Sequence, residues 1–422
     1  MILLIVNIPY GKENVQVQIS YPYEILLPNK VQCKNQNKII KEALQHSIGK
    51  ESFEEFCRQS QHLLVLVNDA TRPTPTSTIL EYLYPLLSAH PDVKFLVATG
   101  VHRAPTFDEY QYIFGRFYNI FKNRIYVHDA RKEADMRYLG KSQNGTEMYV
   151  NKMISESGNV LVIGSVEPHY FAGYTGGRKS FLPGVASYIT IEMNHKLALS
   201  ENASSLALKG NPVHEDMVDA MNVLKDIHVF SIQTVLTGDH KIYAVTTGDL
   251  LKSFKAAIQY ANKVFCVPLK QKGNIVLTIA PYPMDIDLYQ SQKALDNGKL
   301  ALEDDGIIIL ISKCRMGVGE DAFLDLFCKA TTPQGVLEIL GDEYKLGYHK
   351  AAKMAAIGAH AQMWAVTDLS DSIVQKAMLK PYHNIQKAID DAVIIMQEKG
   401  RKPQIIVMPS GSLTVPITYG GR

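Results

Sequence analysis

A 422-residue chain with no long hydrophobic run, no excess of either charge and only five scattered cysteines is excluded from several classes of protein before any motif is read. Its longest apolar stretches, MILLIV at the start and IIILI at 307–311, are strand-sized and far short of the roughly 20 residues that span a bilayer. The first residues lack the charged start, long apolar segment and cleavage site of a signal peptide, so none is expected. Lys and Arg number 44 against 42 Asp and Glu, and no basic run stands out. Neither a nucleic-acid groove nor an anionic membrane surface is therefore expected. Cys33, Cys57, Cys266, Cys314 and Cys328 are odd in number and never in C-x-x-C spacing, which fits free thiols in a reducing compartment. No H-E-x-x-H or H-x-x-x-H spacing offers a conventional zinc site. The expectation is a soluble, cytoplasmic, globular protein.

What is present is an alternation of short apolar runs with helix-compatible stretches. LLIVNI, HLLVLVND, VKFLVATG, RIYVHDA and NVLVIGS are continuous enough to be strands buried on both faces, hence a mainly parallel sheet covered by helices. CVPLKQKGN at 266–274 reads as a linker, after which the alternation resumes with NIVLTIAP, a helix near 288–302, GIIILISKC, helices within 320–361, MWAVTDL, a helix near 384–399 and QIIVMPSG. The pattern predicts two α/β domains with mainly parallel sheets and a cleft between them, residues 1–268 and a smaller 269–422.

Ligands of open α/β sheets gather at the carboxyl ends of strands, which directs attention to four loops. NDATRPTP carries Asp69, Ala70, Thr71 and Arg72 on a proline-stiffened backbone; a salt-bridged turn is the simple expectation, recognition of a carboxylate or phosphate the functional one. ATGVHRAP and GSVEPHYFAG place His102 and His169 just after strands. GYTGGRKS resembles a phosphate-binding P-loop, but Arg178 separates Gly177 from Lys179, where that motif needs Gly-Lys adjacent. As a plain glycine-rich turn it would hold Gly176 and Gly177 at the bend with Arg178 and Lys179 facing solvent. His195, in EMNHKLA, reads as an exposed helix histidine. In DIDLYQSQKALDNG, Tyr289 opens a helix on which Gln290 and Lys293 share a face, ordinarily a solvated one.

Together and in this order, DATRPTP, GVHRAP, EPHYFAGYTGGRKSFLPG followed by MNH, and DIDLYQSQKAL resemble the nickel-dependent lactate racemase family. The resemblance implies that Lys179 holds, through a thioamide, a pyridinium-3,5-bisthiocarboxylic acid mononucleotide whose two sulfurs and one carbon bind nickel, the nickel-pincer nucleotide. His195 would be the remaining nickel ligand, a soft donor set that suits square-planar Ni(II). Asp69, Ala70, Thr71, Arg72, Gly176, Gly177 and Arg178 would cradle the cofactor and its phosphate. His102 and His169 would be the catalytic bases. Arg72, Tyr289, Gln290 and Lys293 would hold the substrate, and closure between the domains would exclude water. The partners implied are a small 2-hydroxyacid and the enzymes that make the cofactor.

The implied activity is racemisation or epimerisation of a 2-hydroxycarboxylic acid by proton-coupled hydride transfer. The Cα proton of such an acid is too weakly acidic for a side-chain base, so removal of hydride to a bound acceptor is the easier route. Two imidazoles serve because the hydroxyl lies on opposite sides in the two enantiomers. The stretch KLGYHKAAKM departs from the family's pattern; Tyr348, His349 and Lys350 would either enlarge and polarise the substrate pocket or point to solvent. A non-catalytic binding protein for a phosphorylated cofactor or metabolite is the alternative.

Overall fold

The structure is a computed structural model that describes residues 4–49, 51–340 and 344–418; residues 1–3, within the expected opening strand, lie outside them. The chain forms two compact units, one of Lys30–Val264 and one of Met1–Asn29 with Phe265–Arg422. The first 29 residues, expected in the N-terminal domain, thus belong to the other unit. Strand β1 (Leu4–Tyr10) pairs antiparallel with β2 (Glu13–Ile19), and β3 (Tyr23–Ile25) joins a parallel sheet beside the strand Ile405–Met408. The opening apolar run is therefore not a two-face-buried parallel strand. Val6, Ile8, Val17 and Ile19 enter a core with Ile275, Ile309 and Trp364, whereas Ile5 is 60% exposed. Only one face of this hairpin meets the core, and that core is made by the C-terminal strands.

The Lys30–Val264 unit contains β4 (His62–Asn68), β5 (Val93–Ala98), β6 (Ile125–Val127), the hairpin β7 (Met136–Lys141) and β8 (Glu147–Asn151), then β9 (Gly158–Ser165), the short hairpin β10 (Pro168–His169) and β11 (Gly173–Tyr174), β12 (His228–Leu236) and β13 (Ile242–Gly248). Its main sheet has the order β13-β12-β9-β4-β5-β6, parallel except for β13. The runs expected as strands at 62–69, 93–100, 124–130 and 159–165 supply β4, β5, β6 and β9. Leu63, Val65 and Val67 pack with Phe95, Leu161 and Ile163 against Ile79 and Leu83 of the helix Thr76–Ala89. Burial of such two-sided runs drives the sheet together. From β4 the chain moves to β5 and β6, then returns to place β9 on the other side of β4. That reversal opens a crevice beyond the carboxyl ends of β4 and β9, where this class of sheet receives ligands.

The other unit adds β14 (Cys266–Leu269), β15 (Gly273–Ile279), β16 (Leu302–Ile311), β17 (Gln362–Val366), β18 (Lys380–Tyr382), β19 (Ile405–Met408) and β20 (Val415–Thr418). The sheet β18-β17-β16-β15-β19-β3 is parallel throughout. The segment expected as a linker is partly a strand, because β14 pairs in parallel with β20. Helices Leu288–Gly298, Asp321–Cys328, Pro333–Ile339, Tyr348–Gly358 and Ile385–Glu398 fall where the sequence places them. All five cysteines are free thiols. Among the described residues no helix is long and apolar enough to cross a membrane.

Candidate active site

The loop after β4 folds back on its own carboxylate. Asp69 Oδ1 accepts from the Thr71 amide at 3.1 Å and the Thr71 hydroxyl at 2.6 Å, a turn that an aspartate at this position favours. Its Oδ2 accepts from His102 Nδ1 at 2.7 Å. The expected salt-bridged turn between Asp69 and Arg72 is therefore replaced by a carboxylate–imidazole pair reaching across from the loop after β5; Arg72 bonds Asp69 through the backbone, its amide donating to the Asp69 carbonyl at 3.2 Å. Burial of Asp69 pushes its pKa up, but the His102 hydrogen bond and charge, the Thr71 hydroxyl and Arg72 together hold it below the usual carboxylate range. Since a carboxylate only accepts, Nδ1 of His102 is the donor in this pair, and in the neutral ring Nε2 is then the lone-pair nitrogen.

The 167–184 stretch leaves β9 through Thr175, whose hydroxyl donates to Ser165 O at 2.9 Å. Hairpin β10–β11 pairs His169 with Gly173. The bend turns at Gly176, with φ +78° and ψ −178°, a conformation essentially confined to glycine. A Cβ there would also lie 2.6 Å from Val166 Cγ2 and 2.7 Å from Gln233 Oε1. The amides of this bend serve the protein itself, Gly177 N–H donating to Gln233 Oε1 at 3.0 Å and Lys179 N–H to Gly176 O at 3.1 Å. Arg178, expected to face solvent or the cofactor, is fully buried. Its Nη1 donates to Tyr174 O at 2.9 Å and its Nη2 to Ala172 O at 2.6 Å, while the guanidinium carbon lies 4.4 Å from the Phe254 ring centre. Burial lowers its pKa to about 9. Arg178 thus pins the loop from beneath, and Lys179, half-buried, is the side chain the loop presents.

Around Phe171 the motif residues converge. Its ring meets His169 edge-on at 4.6 Å between centroids and His195 at 5.0 Å, and Lys179 Nζ stands 5.3 Å from its centre. His195 is in the helix Tyr188–Lys196 as the pattern suggests, yet it is buried rather than exposed, because the helix packs inward beneath the Phe171 loop. Burial and then the Lys179 charge push its pKa down to about 3, so the imidazole is neutral near pH 7. His169 Nδ1 accepts the Ala172 amide at 3.3 Å, which places the ring hydrogen on Nε2, the reverse of His102.

The two halves of the site are joined at the crevice. Thr74 Oγ1 donates to Ser165 Oγ at 2.9 Å, and Gly100 N–H to Gly184 O at 3.0 Å. Sequence reasoning passed over several supports. Asn211 Nδ2 donates to Phe171 O at 2.8 Å, and Asn194, next to His195, donates to the buried Asp216 carboxylate at 2.8 Å. Asp216 also accepts from Ser142 at 2.5 Å and Thr146 at 2.8 Å. Asn194 lies within the MNH motif and Phe171 within PHYF, so both were visible as neighbours of the histidines; nothing in the sequence linked Asp216 to them.

Tyr289, Gln290 and Lys293 belong to the other unit, on the first turns of the helix Leu288–Gly298. Asp287 caps this helix by accepting from Gln290 N–H at 2.6 Å. All three residues are half-buried, not on an open solvated face. Tyr348, His349 and Lys350 do not point to solvent either: all are buried, His349 Nδ1 is hydrogen-bonded to the Tyr344 hydroxyl at 3.0 Å, and Lys350 is engaged with Tyr289.

A neutral buried imidazole is ready to ligate a metal, but among the described residues no three His, Cys, Asp or Glu side chains group around one. A metal at His195 would need its other donors from a bound organic group, which fits a cofactor tethered at the neighbouring Lys179.

His102 stands on the loop after β5, and His169, Lys179 and His195 meet around Phe171 beyond β9. Imidazoles and a lysine grouped beyond the carboxyl ends of parallel strands are what an enzyme acting on a small polar molecule presents. Residues 10–207 match the lactate racemase N-terminal domain and residues 269–415 the lactate racemase C-terminal domain. The lactate racemase of Thermoanaerobacterium thermosaccharolyticum is 29% identical, over 96% of this chain and 97% of its own. That of Lactiplantibacillus plantarum is 28% identical, over 97% and 99%. The structure of the Thermoanaerobacterium lactate racemase apoprotein superimposes with a TM-score of 0.90 at 28% identity, covering 98% of this chain and all of that one. A Thermotoga maritima protein shares the fold at TM-score 0.67 and 15% identity, covering 91% and 98% of the two chains. The chain belongs to the lactate racemase family, and it is an isomerase of the racemase type rather than a non-catalytic binding protein.

Proposed function

We propose that this racemase interconverts the enantiomers of a 2-hydroxycarboxylic acid, lactate or a larger analogue, with a nickel-pincer nucleotide joined to Lys179 and its nickel held by His195. The observation that carries the reading is the convergence of His169, Lys179 and His195 on the single ring of Phe171. When bound, the group supplies an acceptor and donor of hydride at the substrate's Cα. Asp69, Ala70, Thr71 and Arg72 line the loop facing it, while Gly176, Gly177 and Arg178 serve by shaping the turn that offers Lys179.

The chain's own residues manage the proton. His102, oriented by Asp69, takes the hydroxyl proton of one enantiomer at Nε2, and the carboxylate stabilises the resulting imidazolium. His169 does the same for the other enantiomer once its Nδ1 releases the long 3.3 Å bond from Ala172. Arg72 pairs with the substrate carboxylate, with Lys293, Tyr289 and Gln290 as further substrate ligands.

Protein co-expressed with the cofactor-making enzymes tests this directly. Intact-mass analysis is expected to show a covalent adduct, and chiral chromatography to show L-lactate or an analogue converted to the racemate. Racemisation by protein that carries no adduct would overturn the cofactor assignment.

A further inference from the structure

Lys350 is almost fully buried at the start of the helix Tyr348–Gly358, and two contacts of its ammonium fall on one residue. Nζ donates to the Tyr289 carbonyl and stands 3.9 Å from the centre of the Tyr289 ring. One cation therefore grips both the backbone and the side chain of Tyr289. In a helix the Tyr289 carbonyl is also the acceptor for the amide four residues on, which is Lys293. The same turn is held from other sides: Tyr289 N–H donates to Val318 O at 3.0 Å, and its ring meets Phe323 edge-on at 5.8 Å.

A buried ammonium is costly to desolvate, and a cation over an aromatic face in a dry setting recovers part of that cost only if the ring stays in place. Burying a lysine to orient a tyrosine makes chemical sense when the tyrosine's position matters for something it binds. We propose that Lys350 is a positioning residue for substrate binding, acting through Tyr289 to set the first turn of the helix that carries Tyr289, Gln290 and Lys293. This rests on the assignment of those three residues to the substrate. It also gives the YHK stretch a role other than a polar pocket, since the ammonium is directed into the fold.

The test uses holoenzyme and compares Lys350→Met, which keeps length and loses charge, with Lys350→Arg, which keeps charge. Lys350→Met is expected to raise KM for the racemised acid about tenfold with kcat within about threefold, and Lys350→Arg to recover most of that loss. A double-mutant cycle with Tyr289→Leu is expected to be non-additive in KM, because each change removes the same contact. KM of Lys350→Met within twofold of the parent, equal effects of Met and Arg, or an additive cycle would each overturn the proposal. Should Lys350→Met fail to fold, Lys350→Gln is measured against the same thresholds. Lys293→Met separates the underlying assignment: unchanged KM in that variant removes the helix from the substrate site, whatever Lys350 does.

Discussion

The ring of Phe171 meets the imidazole of His195 edge-on, with centroids 5.0 Å apart and planes at 71°. The same ring carries contacts from His169 and Lys179. Edge-to-face pairs contribute about 0.5–1.5 kcal/mol each, and here their main effect is to fix three polar side chains relative to one another. Phe171→Leu keeps apolar volume but removes the ring. The variant is expected to fold, with a melting temperature within a few degrees of the parent, while kcat falls at least tenfold. Full activity would show that the ring is packing alone.

Asp69→Asn addresses the paired carboxylate and imidazole. The amide can still meet His102, but no longer favours its charged form, so kcat should drop by about 10² or more at neutral pH. The stability consequence has a definite sign. Asp69 titrates below its ordinary value in the folded protein, so its contribution is present above the unfolded pKa of about 3.9 and is lost as pH falls through the lower folded value. Melting temperatures of parent and variant should therefore differ near pH 6 and converge as the pH drops below about 4. A constant difference across that range would refute the linkage.

Lys179 and His195 should separate in their losses. Lys179→Ala is expected to abolish both adduct and activity, whereas His195→Ala keeps the adduct and loses nickel, read by intact mass and by metal analysis of the same samples. The thioamide would fix the organic part and the imidazole only the metal. An active Lys179→Ala protein would contradict the attachment.

Gly176→Ala tests the bend. The added Cβ meets Val166, Gln233 and the Ser165 carbonyl at 2.6–2.9 Å, on a backbone that other residues rarely adopt. Strain of this kind costs about 1–3 kcal/mol, so a clear fall in melting temperature and loss of adduct formation are expected. A Gly210→Ala variant is the control, since nothing lies within 4 Å of its Cβ although φ is +76°. It should be less destabilised and keep the adduct.

Much of the fold was legible because β4, β5, β9, β15 and β16 are continuous apolar runs that only two-sided burial explains. The opening strands misled for a physical reason. An apolar run looks the same whether it crosses a sheet or lies on it, and only the partner strands decided that β1, β2 and β3 join the C-terminal unit.

At the site, the sequence by itself determined the motif residues, their spacing and thus the family, since histidine, lysine and glycine at fixed intervals are local facts. Which atoms meet was left to the tertiary structure. Asp69 and His102 sit on loops after different strands, Asp216 reaches Asn194 from a separate helix, and Arg178 turns inward although its neighbour Lys179 does not. Hydrogen-bond partners and burial depend on strand order, and the order β9-β4-β5 is set by how the whole sheet buries its faces, which no short stretch of chain encodes.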